Sequence, residues 1–262
     1  MRASFDAQAG GFDRRAGLPA VAVERIARAL REVCPAGLLL DLGAGTGEIG
    51  AAWMAAGGRY AGLDLSLGML GVFHGRTGRA VLLQADADRP WPLRSGIART
   101  VFASRAAHLF TPQRLVTETL RVAHPEGAVF VLGRVRREGE SLRATLRRQM
   151  RHLLAGHGIA GRGGEEARSA LFAAFAAAGG VPLPPRTAVS WPVAERVADS
   201  LASWRSKPGL AGTAVDPAVK RDVLERLAAW AEQTWGTLDF TREAAESYEL
   251  AAVRLPASKE TS

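Results

Sequence analysis

Residues 38–47 read Leu38-Leu39-Leu40-Asp41-Leu42-Gly43-Ala44-Gly45-Thr46-Gly47, an apolar run closed by an acid and broken by three alternating glycines. Such a run fits a parallel strand covered on both faces and ending at the carboxyl edge of a sheet, where open α/β sheets bind their ligands. Gly43, Gly45 and Gly47 remove every Cβ from one side of the turn, so the backbone can fold tightly and a ligand can lie against it. Glu48 to Ala56 then predicts a helix whose first N–H groups face that ligand. The turn reads as a nucleotide-cofactor loop; the bland alternative is an ordinary strand-to-helix connection.

Its surroundings favour the first reading. Asp64 closes a second apolar run, Tyr60 to Leu63, where an acid can accept both hydroxyls of a ribose. A third run, Ala80 to Gln84, leads into Asp86 and Ala87, and that carboxylate can accept an adenine amino group. Further strands are predicted at Arg99–Ser104 and Gly127–Leu132, so strands and helices alternate along the chain.

These landmarks together resemble the class I S-adenosylmethionine-dependent methyltransferases, in particular small-molecule enzymes with a methyltransferase 11/25-type domain. The resemblance runs from Phe5 to about Leu132 and rests on the 41–47 loop, the Asp64-Leu65-Ser66…Met69-Leu70 segment, Asp86 with Trp91-Pro92-Leu93, and the Pro125-Glu126-Gly127 turn. It implies S-adenosyl-L-methionine as cofactor. Asp41 orients its ammonium through water, and Gly43, Ala44, Gly45, Thr46 and Gly47 form the loop beside its methionine part. Asp64 holds the ribose, Leu65 and Met69 flank the adenine, Asp86 and Ala87 meet its edge, and Ser104 at the end of the fourth strand completes the set. It also implies an α/β, Rossmann-like, seven-stranded, mostly parallel sheet with helices on both faces and an antiparallel last strand.

Two other chemistries are disfavoured by the residues present. A dinucleotide fingerprint needs a glycine at the sixth position of the loop, and Glu48 stands there, where it would repel a pyrophosphate. The base-amino-methylating motif, an Asn- or Asp-Pro-Pro-aromatic run, is replaced by Ser104-Arg105-Ala106-Ala107 after the fourth strand, and Cys34 lies outside any Pro-Cys pair. An RNA or DNA methyltransferase therefore rests mainly on the +8 charge. A non-catalytic S-adenosylmethionine-binding regulator is a further alternative, against which the intact Asp41, Asp64 and Asp86 set argues.

With 262 residues and 47% hydrophobic content the chain can bury a full core, so one domain over 1–262 is expected. Within it, 20–135 carries the cofactor site, 136–235 a helical cap interleaved with strand six, and 245–255 the last strand. The 34 basic residues are arginines except for Lys207, Lys220 and Lys259, a bias that reflects a GC-rich genome as much as a function. A single cysteine and the lack of an apolar leader or 20-residue span predict a cytoplasmic protein away from membranes, monomeric or homodimeric.

At the amino terminus Phe5-Asp6 and Phe12-Asp13 repeat an aromatic-acid pair before an amphipathic helix with Val23, Ile26, Ala27, Leu30 and Val33 on one face. In the resembled family such a segment lies over the cofactor mouth, which gives Phe12 the shielding of the sulfonium and Arg14 or Arg15 the methionine carboxylate. The alternative is a hydrophobic staple with surface arginines. Later come helices at 140–154, 165–178, 192–204 and 217–235, a glycine-rich stretch at 156–164, a strand at 186–191 and an alternating edge strand at 247–255. Trp191, Trp204, Trp230 and Trp235 read as packing of these helices rather than as a substrate pocket. The arginines at 134, 136, 137, 143, 147, 148 and 151 read as a solvated helix face before they read as an anion site.

Methyl transfer asks little of side chains, because holding the acceptor on axis can supply roughly 7–11 kcal/mol. A hydroxyl or amine acceptor also needs a base, and His108, just past the fourth strand, is the candidate. The histidines show no metal-ligand spacing, so no metal is expected.

Overall fold

The computed structural model describes residues 6–138, 141–160, 164–207 and 209–257. Phe5, the expected helix start at Glu140, residues 161–163 of the glycine-rich stretch and the tail beyond Ala257 lie outside the described residues. The chain divides into two compact units: Met1–Val135 with Arg168–Val189 and Tyr248–Ser262, and Arg136–Ala167 with Ser190–Ser247.

The first unit opens with a 3-10 turn at Asp6–Gly11 and the short helix α1 (Phe12–Ala16), followed by α2 (Ala20–Val33). Helix α2 buries Ala22, Ile26, Ala27 and Leu30, close to the face read from the periodicity. Strand β1 (Leu38–Leu42) follows, then α3 (Glu48–Ala55), β2 (Arg59–Asp64), α4 (Leu67–Thr77), β3 (Val81–Gln84), β4 (Thr100–Ser104), α5 (Pro112–Val122) and β5 (Val129–Glu138). Next come α6 (Leu142–Gly156), α7 (Gly164–Ala177), β6 (Val181–Pro182), β7 (Arg186–Arg196), α8 (Val197–Arg205), β8 (Gly209–Leu210), β9 (Thr213–Ala214), α9 (Pro217–Trp235) and β10 (Thr241–Arg254).

The main sheet runs β3-β2-β1-β4-β5-β10-β6, with β7 also paired to β10. The pairs β1–β2, β2–β3, β1–β4 and β4–β5 are parallel, and β10 is antiparallel to β6. The strand order reverses at β1, which has β2 on one side and β4 on the other. At such a switch point the connections leave toward opposite faces and a crevice opens at the carboxyl ends. The apolar residues of β1 earn their place there, since Leu39, Leu40 and Leu42 are all buried. Leu40 and Leu42 join Val101, Phe130 and Phe175 in one core, with Phe130 and Phe175 stacked at 4.5 Å between ring centroids.

Three late expectations change. The last strand is not an edge: β10 lies between β5 and β6, and Ser247 to Val253 are buried without alternation, as befits a strand covered on both faces. The expected helix at 192–204 begins only at Val197, because β7 runs on to Arg196 and the first helical N–H groups of Val197 and Ala198 donate to the carbonyls of Phe240 and Leu238. The sheet has eight strands rather than seven, the additional one being the two-residue β6, too short to carry a periodicity.

The second unit has its own core, where α6, α8 and α9 contribute Leu146, Met150, Leu154, Val197, Leu201, Trp204, Val223 and Leu227. Trp230 meets Trp235 edge to face, and Trp235 stacks on Phe240 at 5.9 Å, so these tryptophans pack helices. Among the described residues no helix is long and apolar enough to cross a membrane.

Candidate active site

The glycine loop leaves β1 at the switch point and is fixed from three sides. Gly43 and Ala44 donate their N–H groups to the carbonyl of Leu63 at 2.8 and 3.1 Å, tying the loop to the end of β2. Gly45 N donates to Asp64 Oδ2 at 2.8 Å, and Ser66 N donates to Asp64 Oδ1 at 2.8 Å. Asp64 therefore shapes the loop as well as facing the cleft, and each oxygen keeps a second lone pair for another donor. Burial pushes its carboxyl above the usual range against the pull of those N–H groups.

The three glycines serve different ends. Gly47 has φ +80 and a Cβ there would run into the ring of Phe73, while at Gly43 (φ +70) it would meet the Ala106 side chain. Both positions are emptied by protein packing. Only at Gly45 is the added Cβ space open, with nothing nearer than the Gly43 carbonyl oxygen at 3.9 Å, so that is where a ligand can approach the backbone.

Beneath the loop, Asp41 is buried, and Tyr60 donates its hydroxyl hydrogen to Asp41 Oδ2 at 2.8 Å. The other oxygen, Oδ1, is buried with no hydrogen-bond partner. Burial, opposed by the tyrosine hydrogen bond and reinforced by Asp64, lifts the Asp41 carboxyl to about 7. A buried, unpartnered carboxylate oxygen is costly unless a donor reaches it.

Two recesses share this loop. The smaller is lined by Asp41, residues 43–49, Ser104 and Arg105. The larger, a cleft of about 430 Å³, is lined by Phe12, Gly43, Gly45, Leu63–Ser66, Met69, Ala85–Ala87, Ser104–Ala106 and His108–Phe110. That volume lies within the range of small-ligand sites. Its walls are the ends of β1, β2, β3 and β4. Met69 and Ala87 are buried, whereas Leu65 is 39% exposed at the rim. Asp86 Oδ1 accepts the N–H of Asp88 at 2.9 Å, and the Trp91 indole N–H donates to the Ala87 carbonyl at 3.0 Å, fixing this wall. Asp88 in turn accepts Thr111 N and Oγ1, both at 2.8 Å, which anchors the segment carrying His108. His108 lies in the 3-10 turn Ala107–Leu109, and partial burial of its ring lowers its pKa from the ordinary imidazole value.

The sequence-predicted residues thus converge, with qualifications. Thr46 spends its hydroxyl on Asp13 Oδ1 at 2.5 Å rather than on the cleft. Ser104 Oγ is bonded to the buried Tyr248 hydroxyl at 2.5 Å. Phe12 lines the cleft, but Arg14 is exposed and does not line either recess.

Several polar groups around the recesses had no role in the sequence reading. Arg105 lines both recesses in a left-handed backbone conformation, φ 58, and reaches Glu48 Oε2 at 3.4 Å. Glu48 Oε1 accepts Leu18 N at 3.2 Å, and burial raises its carboxyl. Asp6 accepts Ser66 Oγ at 2.6 Å and Gly68 N at 2.8 Å, and Asp13 also pairs with Arg76. The acids of the repeated aromatic-acid pair therefore pin the amino-terminal segment beside the cleft; the repeat itself was the available signal. Among the described residues no cluster of His, Cys, Asp and Glu could hold a metal ion.

Residues 40–131 match a family described as a methyltransferase domain. The ubiquinone/menaquinone biosynthesis C-methyltransferase UbiE of Acidiphilium cryptum is 33% identical over 144 residues, which are 50% of this chain and 57% of that enzyme. The match thus spans little more than half of that relative's length. Among solved structures, the YcgJ protein of Bacillus subtilis aligns with a TM-score of 0.55 at 16% identity, covering 92% of this chain and 100% of its own. The cyclase SpnF aligns with a TM-score of 0.50 at 20% identity, covering 90% of this chain and 82% of its own. At such identities these likenesses speak for the fold, and one fold hosts many reactions. The domain match begins inside β1 and ends inside β5, so the stretch that builds the cleft is the part of the chain that is similar to a methyltransferase domain.

Proposed function

We propose that this chain transfers a methyl group from S-adenosylmethionine to the oxygen, nitrogen or carbon of a small-molecule acceptor. The observation that carries the reading is the buried, unpartnered Oδ1 of Asp41 in the recess that Gly45 also lines, with Asp64 and Asp86 following at the ends of the neighbouring strands β2 and β3. An ammonium, a ribose diol and an adenine amino group ask for acceptors in that order.

S-Adenosylmethionine supplies a methyl group already activated by its sulfonium. Asp41 Oδ1 accepts the ammonium, and the remaining lone pairs of Asp64 accept the ribose hydroxyls. Leu65 and Met69 sandwich the adenine, with Asp86 and Ala87 at its edge. Arg105, which lines both recesses, is better placed than Arg14 for the methionine carboxylate. Phe12 keeps water from the sulfonium. His108, held neutral by its lowered pKa, takes the proton of a hydroxyl or amine acceptor, and the apolar rim around Leu109 and Phe110 admits the acceptor. Residues 136–235 are assigned to acceptor recognition by their place in the chain, after the cofactor-binding half. A cytoplasmic, monomeric or homodimeric enzyme completes the reading, supported by the single Cys34.

The test is incubation of the full chain with isotope-labelled S-adenosylmethionine and extract of its own source. Label in a small organic product is the expected result. Label confined to RNA or DNA, or cofactor binding by calorimetry with no transfer to any fraction, overturns it.

A further inference from the structure

In the second unit, helix α6 places Arg143, Arg147 and Arg151 four residues apart, one above the other on a single face. The Arg143 Nη2 donates to Ser203 Oγ on α8 at 3.1 Å, and its guanidinium lies 5.3 Å over the Trp204 ring. Lys207 N donates to the Trp204 carbonyl at 3.3 Å, so the turn after α8 brings a further cation to the same end of the helix.

The nearby carboxylates are already engaged. Glu195 Oε1 accepts Ser141 Oγ at 2.7 Å and lies 3.3 Å from Arg137 Nε, and its Oε2 accepts Arg143 N at 3.2 Å. Glu246 Oε1 pairs with Arg137 Nη2 at 2.6 Å. Arg137 is compensated in this way. Among the described residues, Arg147 and Lys207 have no hydrogen-bonded or ion-paired partner through their side chains, and Arg143 Nε is buried with none. A solvated helix face would leave such groups at their ordinary values. Instead, burial and then the neighbouring Arg137, Arg143 and Arg151 lower Arg147 to about 10, and burial with Arg143, Arg147 and Arg137 lowers Lys207.

We propose that Arg143, Arg147 and Lys207 form a binding site in the second unit for a phosphorylated small molecule. A monocarboxylate compensates one charge, whereas a phosphate or diphosphate group brings several oxygens and more than one negative charge to three clustered cations, with guanidinium forks suited to bidentate contact. The site is independent of the methyl-transfer reading, because it lies outside the cofactor cleft's own residues and can be occupied without cofactor.

Calorimetry on the full chain with inorganic pyrophosphate, at low salt and without cofactor, tests it. Saturable binding of wild type is expected, weakened at least tenfold in Arg147→Gln and left unchanged in Arg148→Gln, an exposed arginine of the same helix. Circular dichroism checks the fold of each variant, and Lys207→Gln is expected to weaken binding as Arg147→Gln does. Absent binding, or equal weakening by Arg147→Gln and Arg148→Gln, overturns the site. A single-stranded RNA oligomer that binds more tightly than pyrophosphate and loses affinity equally in all three variants replaces it with a nucleic-acid surface.

Discussion

Tyr60 holds Asp41 by one oxygen only: its hydroxyl lies 2.8 Å from Oδ2, both side chains are buried, and Oδ1 has no partner. Because the folded carboxyl titrates near 7 against 3.8 for an ordinary aspartate, the folded chain retains a proton that the unfolded chain has released between those values. Stability without cofactor therefore falls as pH rises through that window. Asp41→Asn is expected to raise the cofactor-free Tm at pH 8 and to flatten its pH dependence, the gain being about 1.4 kcal/mol for each tenfold of ionisation avoided. It also weakens S-adenosylmethionine binding at least tenfold and removes the loss of wild-type affinity expected below pH 7. Thermal melts and calorimetry at pH 5.5 and 8 check both; parallel Tm profiles for the two proteins refute the assignment.

Asp64 accepts two backbone N–H groups, from Gly45 and Ser66, besides its expected ribose contact. Asp64→Ala is thus predicted to do two things at once. Cofactor affinity drops by about 10–100-fold, since hydrogen bonds to a charged group contribute about 1.5–3 kcal/mol each. Amide exchange at residues 43–47 also accelerates in the cofactor-free protein. Unchanged calorimetric affinity sinks the ribose role, and unchanged exchange sinks the loop role.

At Gly47 the backbone is left-handed, φ +80, and the Phe73 ring occupies the space of a side chain. Gly47→Ala is expected to destabilise the chain by about 2–4 kcal/mol, combining backbone strain with overpacking. Phe73→Leu in the same chain should recover the packing part while leaving the strain. A double-mutant cycle from urea denaturation measures the coupling, and strict additivity contradicts the account.

His108 is predicted to act on the acceptor and not on the cofactor. With a hydroxyl or amine acceptor, His108→Gln lowers kcat by about 10²–10⁴-fold and leaves cofactor affinity intact. In wild type, kcat falls with acid only as pH passes below the ordinary imidazole value, because burial lowers the histidine's pKa. A pH profile shared by wild type and His108→Gln removes histidine from the chemistry.

The cofactor half was legible to the extent that its signals are local. The strand 38–42, the left-handed glycines and the helix at 48–55 each follow from apolar spacing and backbone freedom within a few residues. The later strands were harder. Ser247 to Val253 mixes polar and apolar residues, and the alternation suggested an edge; β10 is interior because β5 and β6 cover both its flanks, a fact of topology. Helix α8 starts late because carbonyls of Phe240 and Leu238 capture its first N–H groups, and nothing near Pro192 signals a partner more than forty residues away.

By itself, then, the sequence determined the strand–glycine–helix turn and the acids at the ends of β1, β2 and β3, and the resemblance these carry implied the cofactor. The tertiary structure alone decided how each side chain is spent. It gave Thr46 to Asp13, Ser104 to Tyr248, and Ser66 to Asp6, left Asp41 with one unanswered oxygen, and put Arg105 rather than Arg14 on the cleft wall. The physical reason is range. Dihedral preference and apolar periodicity act over a few residues, whereas hydrogen-bond partners are chosen by which chain-distant segments the strand order brings side by side.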